Sequence, residues 1–173
     1  MSFLLITPFS ALDDAVRRHR PSHLLTLLDE PFVPTPKTIH PDRHLRLRMH
    51  DIVEPVEGGV MPESSHVGDL IAFGKTWDRT APLLVHCWAG ISRSTAAAFI
   101  LLCDLHGPGH EEKIARGLRF HAPHAQPNRL LVRHADLLLG RGGRMIAAVD
   151  NMGEARAVAQ GEIVELPLAL GEL

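Results

Sequence analysis

The sequence contains no tyrosine, only two cysteines, and aromatic residues at 5% of its 173 positions. Two cysteines, Cys87 and Cys103, cannot build the disulfide framework of a small stapled fold. Nor is there a long apolar run: Ala96 to Cys103, the longest, falls far short of the roughly 20 residues that cross a bilayer. The opening stretch Met1 to Pro8 has no basic region and no small-residue cleavage site, so no signal peptide is read there. A cytoplasmic chain with free thiols is expected. Charge of one sign is lacking too. Eighteen basic against twenty acidic residues give a formal charge of −2, which excludes the broad basic field that nucleic acid or an anionic membrane surface requires. No repeat of 20 to 50 residues and no low-complexity tract occurs, which excludes solenoids and linked arrays.

What is present is the composition of one globular domain, 45% hydrophobic and 22% charged, long enough to bury about 70% of its unfolded surface without staples. The apolar runs Phe3 to Ile6, His23 to Leu28 and Leu83 to Cys87 read as buried strands, and Leu45, Leu47 and Met49 alternate with arginines as in a half-buried strand. Helices are predicted from a Ser10 cap to about Arg18, from a Ser64 or Ser65 cap to Trp77, and over Thr95 to His106. Further helices are predicted over Glu111 to His121, from Pro127 to Gly140 with Leu130, Leu131, His134, Leu137 and Leu138, and around Met145 to Met152. Pro31 to Pro41 reads as a surface loop. One domain is expected over residues 1–153, with an extended tail at 154–173 packed on or near it. Alternating strands and helices predict an α/β fold, a central mostly parallel sheet with helices on both faces.

The most informative segment is His86-Cys87-Trp88-Ala89-Gly90-Ile91-Ser92-Arg93-Ser94, between a strand and an apolar helix. A chain that turns there through glycine into a helix leaves successive backbone N–H groups unpaired at the positive end of the helix dipole, which is an anion cradle. The expected phosphate site is the backbone of Trp88, Ala89, Gly90, Ile91 and Ser92 together with Arg93. Cys87 at its mouth would be stabilised as a thiolate, a competent nucleophile. Arg93 offers a planar fork to two phosphoryl oxygens. The Ser94 hydroxyl can donate to the sulfur and ease its departure. Cys103, among Leu101, Leu102 and Leu105, reads as core packing.

These nine successive residues resemble the signature loop of the protein-tyrosine phosphatases, His-Cys, five residues, then Arg-Ser, in its dual-specificity form. The resemblance extends more loosely from about Leu45 to Leu139, and Pro127-Asn128 resembles the family's structural Pro-Asn pair. It implies a phosphomonoester hydrolase forming a phosphocysteine, with no cofactor and no metal, acting on a phosphorylated protein or a small phosphoester. It also implies an aspartate acid some 30 to 40 residues before the cysteine. Asp51 fits best, because it follows the alternating strand at its carboxyl end, where α/β sheets gather their sites; Asp42 lies on the wrong edge and Glu54 is the rival. The loop Asp51 to Pro62 would be the moving element. His86, facing away from the cradle, is expected to fix the loop backbone. The aromatic clamp that tyrosine-specific relatives place over the substrate ring has no tyrosine here, which leaves Phe32 or Trp88 for that role.

The histidine pairs His121/His124 and His40/His44 have ligand spacing without a second pair beside them, so no metal site is predicted. None of residues 88 to 92 is basic, which argues against a polyphosphorylated inositol substrate. Low-molecular-weight phosphatases and arsenate reductases carry the loop near the N-terminus, the reverse of the order here. Rhodanese loops need not end in Arg-Ser. A phosphoprotein-binding module without turnover is the alternative of another class, and nothing in the sequence supports it.

Overall fold

A computed structural model describes residues 3–29 and 33–173 of the chain. The sheet is built from β1 (Phe3–Pro8), β2 (His23–Leu28), β3 (His44–Arg48), β4 (Leu83–Cys87) and β5 (Val164–Pro167) in the order β3-β2-β4-β1-β5. The first four lie parallel, and β5 runs antiparallel against β1. Parallel strands covered on both faces read as continuous apolar runs rather than as alternation, and β2 and β4 are buried at every position.

The period of two then sorts side chains to the two faces. Leu5, Leu24, Leu28 and Leu84 pack with Leu12, Ala15 and Val16 of α1 (Leu12–His19). Leu4, Ile6, Leu25, Leu27, Leu83, Val85 and Cys87 face the other way. That larger core is covered by α2 (Ser64–Thr76), α3 (Arg93–His106), α4 (Glu111–His121), α5 (Arg129–Leu138) and α6 (Arg144–Asp150). The α/β reading with helices on both faces therefore holds, with one α-helix against five among the described residues. Because β4 alternates, Cys87 lies with Leu83 and Val85 on the α3 side, and His86 falls with Leu84 on the α1 side.

The apolar helix α3 is central, buried from Arg93 through Cys103. Cys103 is fully buried, and burial pushes its thiol well above the usual cysteine range, as a core residue's would be. Among the described residues no helix is long and apolar enough to cross a membrane.

Four boundaries differ from expectation, each for a local reason. Ser10 caps no helix, since Phe9–Ala11 form a 3-10 turn and α1 begins after it. The α2 cap is Glu63, whose N–H donates to His66 Nδ1 at 3.0 Å, while the Ser64 hydroxyl pairs with His134 Nδ1. Helix α3 starts at Arg93 rather than Thr95, because Ser92 O already accepts from Ala96 N at 3.0 Å. Pro127 stands outside α5, whose cap is Asn128, its Oδ1 accepting from Leu130 N and Leu131 N at 3.1 Å each. Of the leucines this helix carries, Leu137 and Leu138 are exposed at 77% and 48%. The buried face of α5 is Leu131, Val132 and Ala135, which turns positions 137 and 138 away from the core. The extended tail around Ile163 to Leu166 joins the sheet as β5, with Ile6 opposite Val164 and Phe3 opposite Pro167.

Candidate functional site

Four parallel strands end at one edge of the sheet, and the residues that follow them meet there: Phe9 after β1, Asp29 after β2, Met49 to Asp51 after β3, and the loop after Cys87. The shape of that loop is set from outside. Trp88 O accepts from Phe9 N at 3.0 Å, Ala89 O from Gly161 N at 2.8 Å, Ile91 O from Gln126 N at 2.9 Å and Ser92 O from Asn128 N at 3.2 Å. With four carbonyls accepting from outside the loop, peptide planarity puts the N–H groups of Ala89, Gly90, Ser92 and Arg93 on the opposite side of those peptides. Gly90 has φ +69°, and a Cβ there would lie 2.7 Å from Pro8 N, so only glycine allows this approach of loop to strand.

Cys87 stands at the mouth, 2% exposed, with its Sγ 3.2 Å from Ser94 Oγ. Arg93 is 4% exposed; its Nη1 donates to Met49 O at 2.7 Å, and among the described residues its buried Nε has no hydrogen-bond partner. A buried donor left unmatched costs about 1–3 kcal/mol. An oxyanion in the cradle would remove that cost by accepting from Nε and Nη2, the two donors on the same edge of the guanidinium.

His86 stacks on Phe9 at 5.7 Å on the opposite face of the sheet, and its Nε2 lies 2.7 Å from Thr26 Oγ1. The same hydroxyl lies 2.8 Å from His44 Nε2, so Thr26 joins β4, β2 and β3 by donating to one ring and accepting from the other. Burial lowers His86 to about 4 and His44 to about 3. The unfolded chain then binds protons that the fold refuses, and stability should decline as the pH falls from about 6.5 towards 4, by about 3 kcal/mol for His86 alone. Urea midpoints measured from pH 7.5 to 4 check this; a constant midpoint would mean that both rings are protonated in the fold.

Asp51 sits beside the loop. Its Oδ1 accepts from the Ser92 hydroxyl at 2.7 Å and from Asn128 Nδ2 at 2.8 Å. The connection it begins is closed at its base by His50, whose N–H donates to Val60 O and whose Nδ1 accepts from Val60 N at 2.9 Å. Glu54, the rival carboxylate, is exposed and lines a groove of about 980 Å³ that runs from Asp51 and Ser92 to Arg119 and Met152. Cys87 and Arg93 do not line that groove, whereas the loop residues Ala89, Ile91 and Ser92 do.

Trp88 is 43% exposed and meets Phe9 edge-on at 5.1 Å. Its Nε1 donates to Asp29 Oδ1 at 2.8 Å. Phe32, the other aromatic candidate, lies outside the described residues. Asp29 and Phe9 were missed at the sequence level, although the rule that selected Asp51, a position just past a strand's carboxyl end, applies to both.

No family model and no curated protein matches the chain. Solved structures do. The crystal structure of DUSP15 matches with a TM-score of 0.62 at 21% identity, over 90% of this chain and 96% of that one. The Yvh1 phosphatase domain from Chaetomium thermophilum matches with a TM-score of 0.55 at 20% identity, over 83% and 93%. PTPMT1, solved in complex with PI(5)P, matches with a TM-score of 0.54 at 16% identity, over 81% and 94%. With its Cys-x5-Arg-Ser loop at the carboxyl end of the central strand, the chain has the fold of the dual-specificity-like branch of the protein-tyrosine phosphatase superfamily.

Proposed function

We propose that the chain is a phosphomonoester hydrolase that works through a phosphocysteine, with phosphorylated protein as its substrate class. The observation that carries this reading is the loop after Cys87, whose carbonyls are tied outward so that its N–H groups are left free for an anion, together with the buried Arg93 Nε, which has no partner among the described residues. Cys87 Sγ attacks phosphorus and the P–O ester bond breaks, with the leaving oxygen taking a proton from Asp51. Three phosphoryl oxygens stay in the cradle and on Arg93, where charge develops in the transition state. Water then attacks the phosphocysteine, Asp51 accepts its proton, the S–P bond breaks, and the Ser94 hydroxyl donates to the departing sulfur. PTPMT1 was solved with a phosphoinositide, but residues 88 to 92 of this chain hold no cation to offset a second phosphate, and a protein substrate is favoured.

Turnover of p-nitrophenyl phosphate, quenched rapidly and examined by mass spectrometry, should place phosphate on the peptide that holds Cys87. Tight binding of phosphopeptide without turnover would point to a binding module instead. Arg93→Lys should lose roughly 10² in kcat although charge is conserved, since an ammonium cannot form two parallel bonds to phosphoryl oxygens. Steady-state kinetics check this, and a Lys variant within a few-fold of wild type would show that charge alone is used.

A further inference from the structure

We propose that Asp29 is a positioning residue that gives the site a preference for aryl over alkyl phosphates, by fixing Trp88 as a wall of the pocket while it orients Arg93. This rests on the phosphatase reading above and goes beyond it in naming what the pocket selects.

Asp29 comes directly after β2, which delivers its carboxylate to the edge where the signature loop lies. One oxygen, Oδ1, serves two neighbours: it accepts from Trp88 Nε1 at 2.8 Å and lies 3.7 Å from Arg93 Nη1. The other, Oδ2, faces His50 Nε2 at 3.7 Å. Burial alone would raise the carboxyl, but the Trp88 N–H, Asp29's own backbone N–H, Arg93 and His50 outweigh it and keep Asp29 below its usual range. It is a carboxylate in use, part-buried, and solvent reaching its 31% exposed side chain makes the charge pair itself weak. What it supplies is orientation.

For Trp88 the orientation is two-point. The N–H end is held by Asp29, and the ring packs edge-on against Phe9 at 5.1 Å and 78°, so the indole cannot rotate without breaking both contacts. A fixed indole next to Cys87, itself still 43% exposed, is a flat apolar wall open to an incoming ring, and an alkyl ester has no ring to set against it. For Arg93, Met49 O and Asp29 both face Nη1. The Nε and Nη2 edge is thereby left to the phosphoryl group. One carboxylate thus places the ring wall and the phosphate clamp in a common frame.

The test compares phosphotyrosine and phosphothreonine peptides of one sequence on wild type, Asp29→Ala, Asp29→Asn, Trp88→Phe and the Asp29→Ala/Trp88→Phe double variant. Asp29→Ala should raise KM for the phosphotyrosine peptide about fivefold, the value of one aromatic contact, and leave KM for the phosphothreonine peptide within twofold. Nearly isosteric Asp29→Asn keeps an oxygen for the indole N–H and should retain the aryl preference while lowering kcat on both esters. In the Trp88→Phe background, Asp29→Ala should raise the phosphotyrosine KM no further, because the contact it supports is already gone. Equal KM changes on the two esters, or effects that add in the double variant, would overturn the proposal. A wild type inert towards both esters would overturn the phosphatase reading itself, and the proposal with it, before any variant is compared.

Discussion

Cys87→Ser is expected to abolish turnover, with a loss on the order of 10⁴-fold or more, the scale on which removing a covalent nucleophile acts. The cradle and the α3 N-terminus can favour a thiolate, but a serine hydroxyl ionises so far above neutrality that the same N–H groups cannot make an alkoxide. The residue is nearly buried, and replacing sulfur by oxygen removes volume without adding a clash, so the fold should survive. Inorganic phosphate should therefore still bind the variant, through the loop N–H groups and Arg93, while no phosphate is released from any ester. Calorimetry of phosphate binding beside an activity assay separates the loss of a nucleophile from the loss of the site. A serine variant with undiminished activity would end the phosphocysteine mechanism.

Asp51→Asn is expected to slow esters with poor leaving groups by about 10² to 10⁴, the usual contribution of a positioned general acid. An ester whose leaving group departs without a proton, such as dinitrophenyl phosphate, should be far less affected. The substitution is conservative for the local structure. An amide oxygen can still accept from the Ser92 hydroxyl and Asn128 Nδ2, the two donors that hold Asp51 at the loop's edge, so the loop should keep its place. If the two esters slow equally, or not at all, while Glu54→Gln shows the leaving-group dependence, the acid is three residues further along the same connection.

The proposed nucleophile and its loop are legible in the sequence because the signature occupies nine successive residues, and a loop made by one turn of chain needs no distant information. The position of Asp51 beside the loop is legible through a strand end. Asp29 obeys the same rule, yet its meaning depends on Trp88, 59 residues away in sequence, and no periodicity reports a pairing across that distance. Caps failed for a related reason. Ser64 has the right side chain for a cap, but His134 from α5 takes its hydroxyl, and the choice between the two is made by tertiary contact rather than propensity. The buried face of α5 is not legible in its own sequence, because leucines occur on both sides of it and which side is covered depends on the helices packed against it. For β5, four residues ending in Pro167 carry too few positions for a pattern to show a sheet partner, so the sequence reads there only as an extended tail.

That short strand has a kinetic consequence. It pairs with β1 across nearly the whole chain, and Gly161, a few residues before it, donates to Ala89 O in the signature loop, with room there for glycine alone since a Cβ would lie 2.9 Å from Gly90 O and 2.5 Å from His124 Nε2. Contacts of such sequence separation form late, after the loop-closure entropy has been met. During refolding, recovery of catalysis should therefore lag behind the burial of α3 and the signals of helix formation. Under mild denaturant the order reverses, with fraying at the β5 edge releasing one tether of the cradle while the central helix still stands.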